Sequence, residues 1–180
     1  SGEHLLRQPR RGETGKRSWI GLGMGETLLS GFSHGATGFA AALSSLASIT
    51  NREDFAQAAN ECLAFEKGQY DDEHKNWPDL RSPDGKPGWP NQWCHGATGI
   101  GLGRAANLKF SAEKSADLET DMSNAVLNVS TNWPQHVDTL CCGTLGTIEF
   151  LAEAGTLLNR DALGQLSDQR LAEIIAQKEI

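Results

Sequence analysis

Three times along this chain a Cys or His stands directly before a glycine, and a second glycine follows three positions later. The copies are Gly31-Phe32-Ser33-His34-Gly35-Ala36-Thr37-Gly38, Trp93-Cys94-His95-Gly96-Ala97-Thr98-Gly99-Ile100-Gly101 and Leu140-Cys141-Cys142-Gly143-Thr144-Leu145-Gly146. An apolar helical period begins after each, so the sequence reads as one structural unit used three times. His34 and His95 lie 61 residues apart and His95 and Cys142 lie 47 apart, lengths that suit helix-hairpin repeats joined by unequal loops. Glycines at the helix starts let inner helices crowd together and leave backbone N–H groups facing a shared cavity.

Between the motifs the apolar spacing places the helices. Phe39, Leu43, Leu46 and Ile49 predict one helix from Gly38, closed by Thr50-Asn51, and a second runs from Glu53 to Lys67 before Gly68. A long loop, Gln69 to Gln92, carries Pro78, Pro83, Pro87 and Pro90. Loops of that length inside a compact domain tend to be functional. Further helices are expected over Gly99 to Leu108, Glu113 to Val129, from Gly143 with a break near Gly155, and over Leu166 to Lys178. Trp19 to Leu29, with Gly21, Gly23 and Gly25, reads as the end of a preceding unit. Residues 1–18 show no hydrophobic period and are expected as a disordered arm, leaving 19–180 as the domain. No strand pattern emerges, so the expected class is all-α.

Composition narrows the function. A net charge of -7 argues against a general nucleic-acid binder, since it repels phosphates. No apolar run approaches the ~20 residues a membrane-spanning helix needs. Four cysteines in 180 residues without a secretory signal point to a reducing, cytoplasmic setting, where clustered Cys signals metal binding or catalysis.

Cys94, Cys141 and Cys142 fall on equivalent ends of neighbouring units. If the units pack side by side the sulfurs converge, and a set of three thiolates selects zinc and leaves one coordination position open. The plainer reading of a free Cys is a small buried apolar residue. Cys62, mid-helix beside Leu63 and without a Gly motif, is assigned that role. His34 and His95 share the motif slot of the thiols and are the candidate acid–base pair. His4, His74 and His136 have no such context and are assigned nothing.

The ordered stretches GFSHGATG, FEKGQYDDEHKNWPDLR, WCHGATGIGLGR and LCCGTLGTIEFLAEAG resemble the LanC-like cyclase domain of class II lanthipeptide synthetases, in its Cys-Cys-Gly branch, from about Trp19 onward. The resemblance implies an α/α toroid of six-hairpin type, of which this chain holds only part of the ring. It also implies Zn2+ held by Cys94, Cys141 and Cys142, with His34 as acid/base. Other members have Cys-His at the last motif, where this chain has Cys-Cys. Some carry an Arg four positions before the zinc Cys; here that position is Pro90.

The activity so implied is thioether (lanthionine or methyllanthionine) ring formation. A peptide Cys thiolate adds to dehydroalanine or dehydrobutyrine, and His34 or His95 supplies the proton. The implied partners are a dehydrated precursor peptide and the dehydratase domain of the same synthetase, and a partial ring with exposed apolar flanks is expected to self-associate. The alternatives are a non-catalytic helical-repeat peptide-binding module with structural zinc, and addition of a small thiol such as glutathione to dehydrated peptides.

Overall fold

The structure, a computed structural model, describes residues 2–21, 25–82, 84–110, 115–133 and 137–178. Gly23, Pro83, Glu113 and His136, named above, lie outside the described residues. Among those described, the chain forms α1 (Gly2–Arg7), a two-stranded hairpin of β1 (Arg10–Arg11) and β2 (Arg17–Ser18), and then six helices. These are α2 (Ala36–Thr50), α3 (Glu53–Lys67), α4 (Ala97–Phe110), α5 (Ala116–Thr131), α6 (Thr144–Leu157) and α7 (Asp161–Lys178).

The six pair as hairpins α2–α3, α4–α5 and α6–α7, and the first helix of each hairpin packs on the first helix of the next, α2 on α4 and α4 on α6. The protein is therefore an all-α helical repeat with an inner row and an outer row. In the first hairpin Ala36, Ala40 and Leu43 bury one stripe of α2. Asn51 then takes a left-handed φ of 53° to end it. Glu53 and Asp54 open α3, where a negative charge favours the helix N-terminus.

α4 is the central inner helix and is buried on nearly every side, as a helix flanked on both sides must be. Its glycines make that possible. A Cβ at Gly103 would stand 1.8 Å from the Thr37 methyl of α2, and one at Gly101 2.3 Å from the Phe150 ring of α6. One core joins Ile100, Met122, Val129, Phe150 and Leu151 with Trp77, which the long loop sends inward. The other lies inside the first hairpin around Leu43, Phe55 and Phe65.

Residues 2–18, expected within a disordered arm, are structured. Leu5 and Leu6 pack against the first hairpin's core, the Trp19 indole donates to the Leu5 carbonyl at 2.8 Å, and Arg17 pairs with Glu61 of α3 at 3.0 Å. Local sequence carries no period there because long-range contacts do the ordering. Nor does α6 break at Gly155. The helix runs on to Leu157, and the missing side chain makes room for Gly164 N and Leu163 of α7, 3.0 and 3.3 Å from where a Cβ would be.

Beneath the motifs, a charged network ties the first two hairpins together. Arg104 of α4, wholly buried, donates from Nη1 to Glu66 of α3 at 2.7 Å and from Nε to Asp121 of α5 at 2.9 Å. Burial works against its charge, but Glu66 and Asp121 outweigh that and hold the guanidinium ionised. Glu66 in turn accepts from the Gly31 N–H at 2.7 Å, the Thr37 N–H at 3.3 Å and the Thr37 hydroxyl. The first motif is thus clamped at both ends by one carboxylate.

Candidate metal centre

The same turn is built three times, and the second glycine of each motif explains how. A Cβ at Gly38, Gly99 or Gly146 would stand 2.1, 2.0 or 2.2 Å from the carbonyl oxygen of Phe32, Trp93 or Leu140, each six residues earlier. The motif turn therefore folds back onto its own helix, and only glycine leaves room for that carbonyl. Neighbouring turns are then stitched together. Phe32 and Ser33 donate their N–H groups to the Cys94 carbonyl at 3.1 and 3.2 Å, and Trp93 donates to the Cys141 carbonyl at 2.9 Å. The Phe32 and Trp93 rings meet at 5.1 Å.

This stitching gathers the sulfurs. The Sγ atoms of Cys94, Cys141 and Cys142 all lie within 4.8 Å of one another, with Cys141 and Cys142 at 3.4 Å. Cys94 is buried, whereas Cys141 and Cys142 face solvent, so the cluster has a closed floor and an open mouth. Three thiolates sharing a tetrahedral zinc at about 2.3 Å would sit roughly 3.8 Å apart, and the observed spacing accommodates that. The electrostatics agree with the need for a cation. Burial, then the Cys142 and Cys141 sulfurs, push the Cys94 thiol up to about 12. Cys141 is raised chiefly by its hydrogen bond with Cys142. Thiols crowded in this way stay protonated unless a positive charge replaces the protons. The three residues can hold a soft metal ion. Cys62 is fully buried in the first hairpin's core, away from the cluster, and burial pushes its thiol up to about 12.

His34 and His95 lie one over the other, ring centroids 5.8 Å apart and planes inclined by 22°. His95 is fully buried. Its Nδ1 meets the Ser30 carbonyl at 3.2 Å, while its Nε2 has no hydrogen-bond partner among the described residues. Burial pulls its basicity down, against the pull of Asp79. His34 is half-buried, nearer the solvent.

The long loop contributes a pair that residue spacing did not single out. Arg81 grips Asp79 with two parallel bonds, Nε to Oδ1 at 2.8 Å and Nη2 to Oδ2 at 2.7 Å. Asp79 is fixed from behind by a backbone pair with Gly88. The preceding Pro78 carbonyl accepts from the Ser30 hydroxyl at 2.6 Å, the same Ser30 whose carbonyl meets His95. The signal was present in the Trp77-Pro78-Asp79 run of a proline-rich loop, but the contact depends on how that loop folds back.

An all-α chain of stacked hairpins with three thiols gathered where its motifs meet is a helical-repeat protein with a candidate soft-metal centre. Residues 10–179 match the family described as lanthionine synthetase C-like protein, and the chain belongs to that family. Its members are in general cyclases. Comparison with curated proteins gives no match. Among the described residues no helix is long and apolar enough to cross a membrane.

Proposed function

We propose that this chain is a zinc-dependent cyclase domain of the Cys-Cys-Gly branch, forming lanthionine or methyllanthionine rings in a dehydrated precursor peptide. The observation that carries the reading is the convergence of three sulfurs within 4.8 Å from two neighbouring motif turns. Cys94, Cys141 and Cys142 would hold the ion, which supplies a Lewis acid able to bring a peptide thiol to thiolate near neutral pH. Three thiolate ligands donate charge and keep such a sulfur nucleophilic.

The chain's own residues do the rest. Leu140 and Val137, both exposed beside the open mouth, offer an apolar rim to the peptide. As the substrate sulfur bonds to the β-carbon of the dehydro residue, the carbon–carbon π pair shifts to join the α-carbon to the carbonyl carbon, the carbonyl π pair moves onto oxygen, and an enolate forms. The thiol proton leaves to solvent. His34, the more accessible member of the stacked pair, gives a proton to the α-carbon, the carbonyl reforms, and the imidazole is reprotonated from water. His95, tied to Ser30 and stacked on His34, holds that ring in place and is the second candidate for the proton. The dehydratase domain of a class II synthetase would supply the substrate, in the cytoplasm.

Cys142→Ala tests this. It should abolish zinc retention and stop the loss of free thiol when the chain meets a dehydrated precursor peptide. Full zinc content in that variant refutes the ligand assignment. Peptide binding by the parent chain without thiol loss would favour the non-catalytic binding module. Products carrying added glutathione instead of rings would favour small-thiol transfer.

A further inference from the structure

The Asp79–Arg81 pair has no part in holding the metal, yet the loop brings it to the site. Arg81 uses Nε and Nη2 on Asp79, which leaves Nη1 outside that grip. Its side chain is 34% exposed, whereas Asp79 is 17% exposed, so the carboxylate forms the base of the pair and the guanidinium reaches toward solvent. Asp79 follows Pro78, which is bonded to Ser30, and Ser30 is bonded to His95. A chain of three contacts therefore joins the pair to the histidine stack. Electrostatically the guanidinium is held charged by Asp79 first, and it also feels the thiols of Cys94 and Cys142. The bidentate grip fixes the plane of the fork, which a lone surface arginine does not have.

We propose that Arg81, aimed by Asp79, is a catalytic residue that binds the carbonyl oxygen of the dehydro residue and stabilises the negative charge on it as the thioether bond forms. This rests on the cyclase reading above. The argument is one of charge position. When the sulfur–carbon bond forms, an electron pair arrives on that oxygen; His34 is committed to the α-carbon proton, and the guanidinium held by Asp79 is a fixed cation that can meet the charge. A preorganised donor aimed at such an oxygen is worth about 10²- to 10³-fold in rate. Because the charge develops only in the transition state, losing the donor lowers the rate far more than the affinity.

The test uses the full chain, loaded with zinc, and single-turnover thiol loss on a dehydrated precursor peptide. Arg81→Gln should slow that step by about 10²-fold. Affinity for the same peptide with its cysteines replaced by serine should change less than about threefold, with zinc content and melting temperature unchanged. Asp79→Asn should slow the step less, and guanidinium ion should partly restore Arg81→Ala. An unchanged rate in Arg81→Gln, or a slowing matched by zinc loss or by an equal loss of peptide affinity, overturns the proposal. An inactive parent chain sinks the cyclase reading together with it, whereas an active parent with an equally active Arg81→Gln sinks this inference alone.

Discussion

Replacing Arg104 by Met removes the cation at the centre of a buried network without removing much volume. The guanidinium is wholly buried, and it neutralises Glu66 at 2.7 Å and Asp121 at 2.9 Å. Breaking such a pair by deleting one partner costs about 3–5 kcal/mol, because a buried charge is left uncompensated. Glu66 keeps its bonds from the Gly31 and Thr37 N–H groups, so the damage should concentrate at Asp121 and total about 4 kcal/mol. For a chain of this size that lowers the melting temperature by roughly 8–16 °C. Urea unfolding measures the loss, and the double-mutant cycle with Asp121→Leu isolates the pair. The double variant should lose less than the sum of the singles by about 2 kcal/mol. A loss in Arg104→Met under about 1 kcal/mol, or strict additivity with Asp121→Leu, would refute the claim that this network joins the hairpins.

Gly99→Ala would set a methyl 2.0 Å from the Trp93 carbonyl, so it should destabilise the chain by about 1–3 kcal/mol and weaken zinc retention; urea unfolding and metal analysis check both. Cys62 keeps its proton in the folded chain up to about 12, where the ordinary value is 9.0. The folded state thus binds a proton that the unfolded state releases, and stability should fall as pH rises from about 9 toward 12, by up to about 4 kcal/mol. Cys62→Ala should flatten that slope. At neutral pH iodoacetamide should label Cys62 only on unfolding, while Cys141 and Cys142 react in the metal-free folded chain.

Helix boundaries were legible where local chemistry sets them. Glu53–Lys67 is bounded by an acidic start and a glycine stop, and the structure has those limits. Where tertiary contact decides, the sequence was mute. The arm over residues 2–18 is ordered by Leu5, Leu6 and Trp19 meeting the core of the first hairpin, and no local period signals a partner elsewhere in the chain. Gly155 reads as a breaker in isolation but is a notch for α7. At the site, the repeated glycine slot was enough to bring Cys94, Cys141 and Cys142 under suspicion, because the same turn implies the same end of the fold. Asp79 and Arg81 stood inside a stretch that carries the resemblance, yet received no role, because a loop's path back to His95 leaves no periodic trace.

Zinc-edge X-ray absorption of the purified chain bears most directly on whether the two motif turns share one cation. One zinc per chain with three sulfur scatterers at about 2.3 Å is the expected result, and the zinc signal should be lost in Cys142→Ala. A chain that retains no zinc when offered it, or a zinc shell of nitrogen and oxygen with fewer than three sulfurs, would contradict the account.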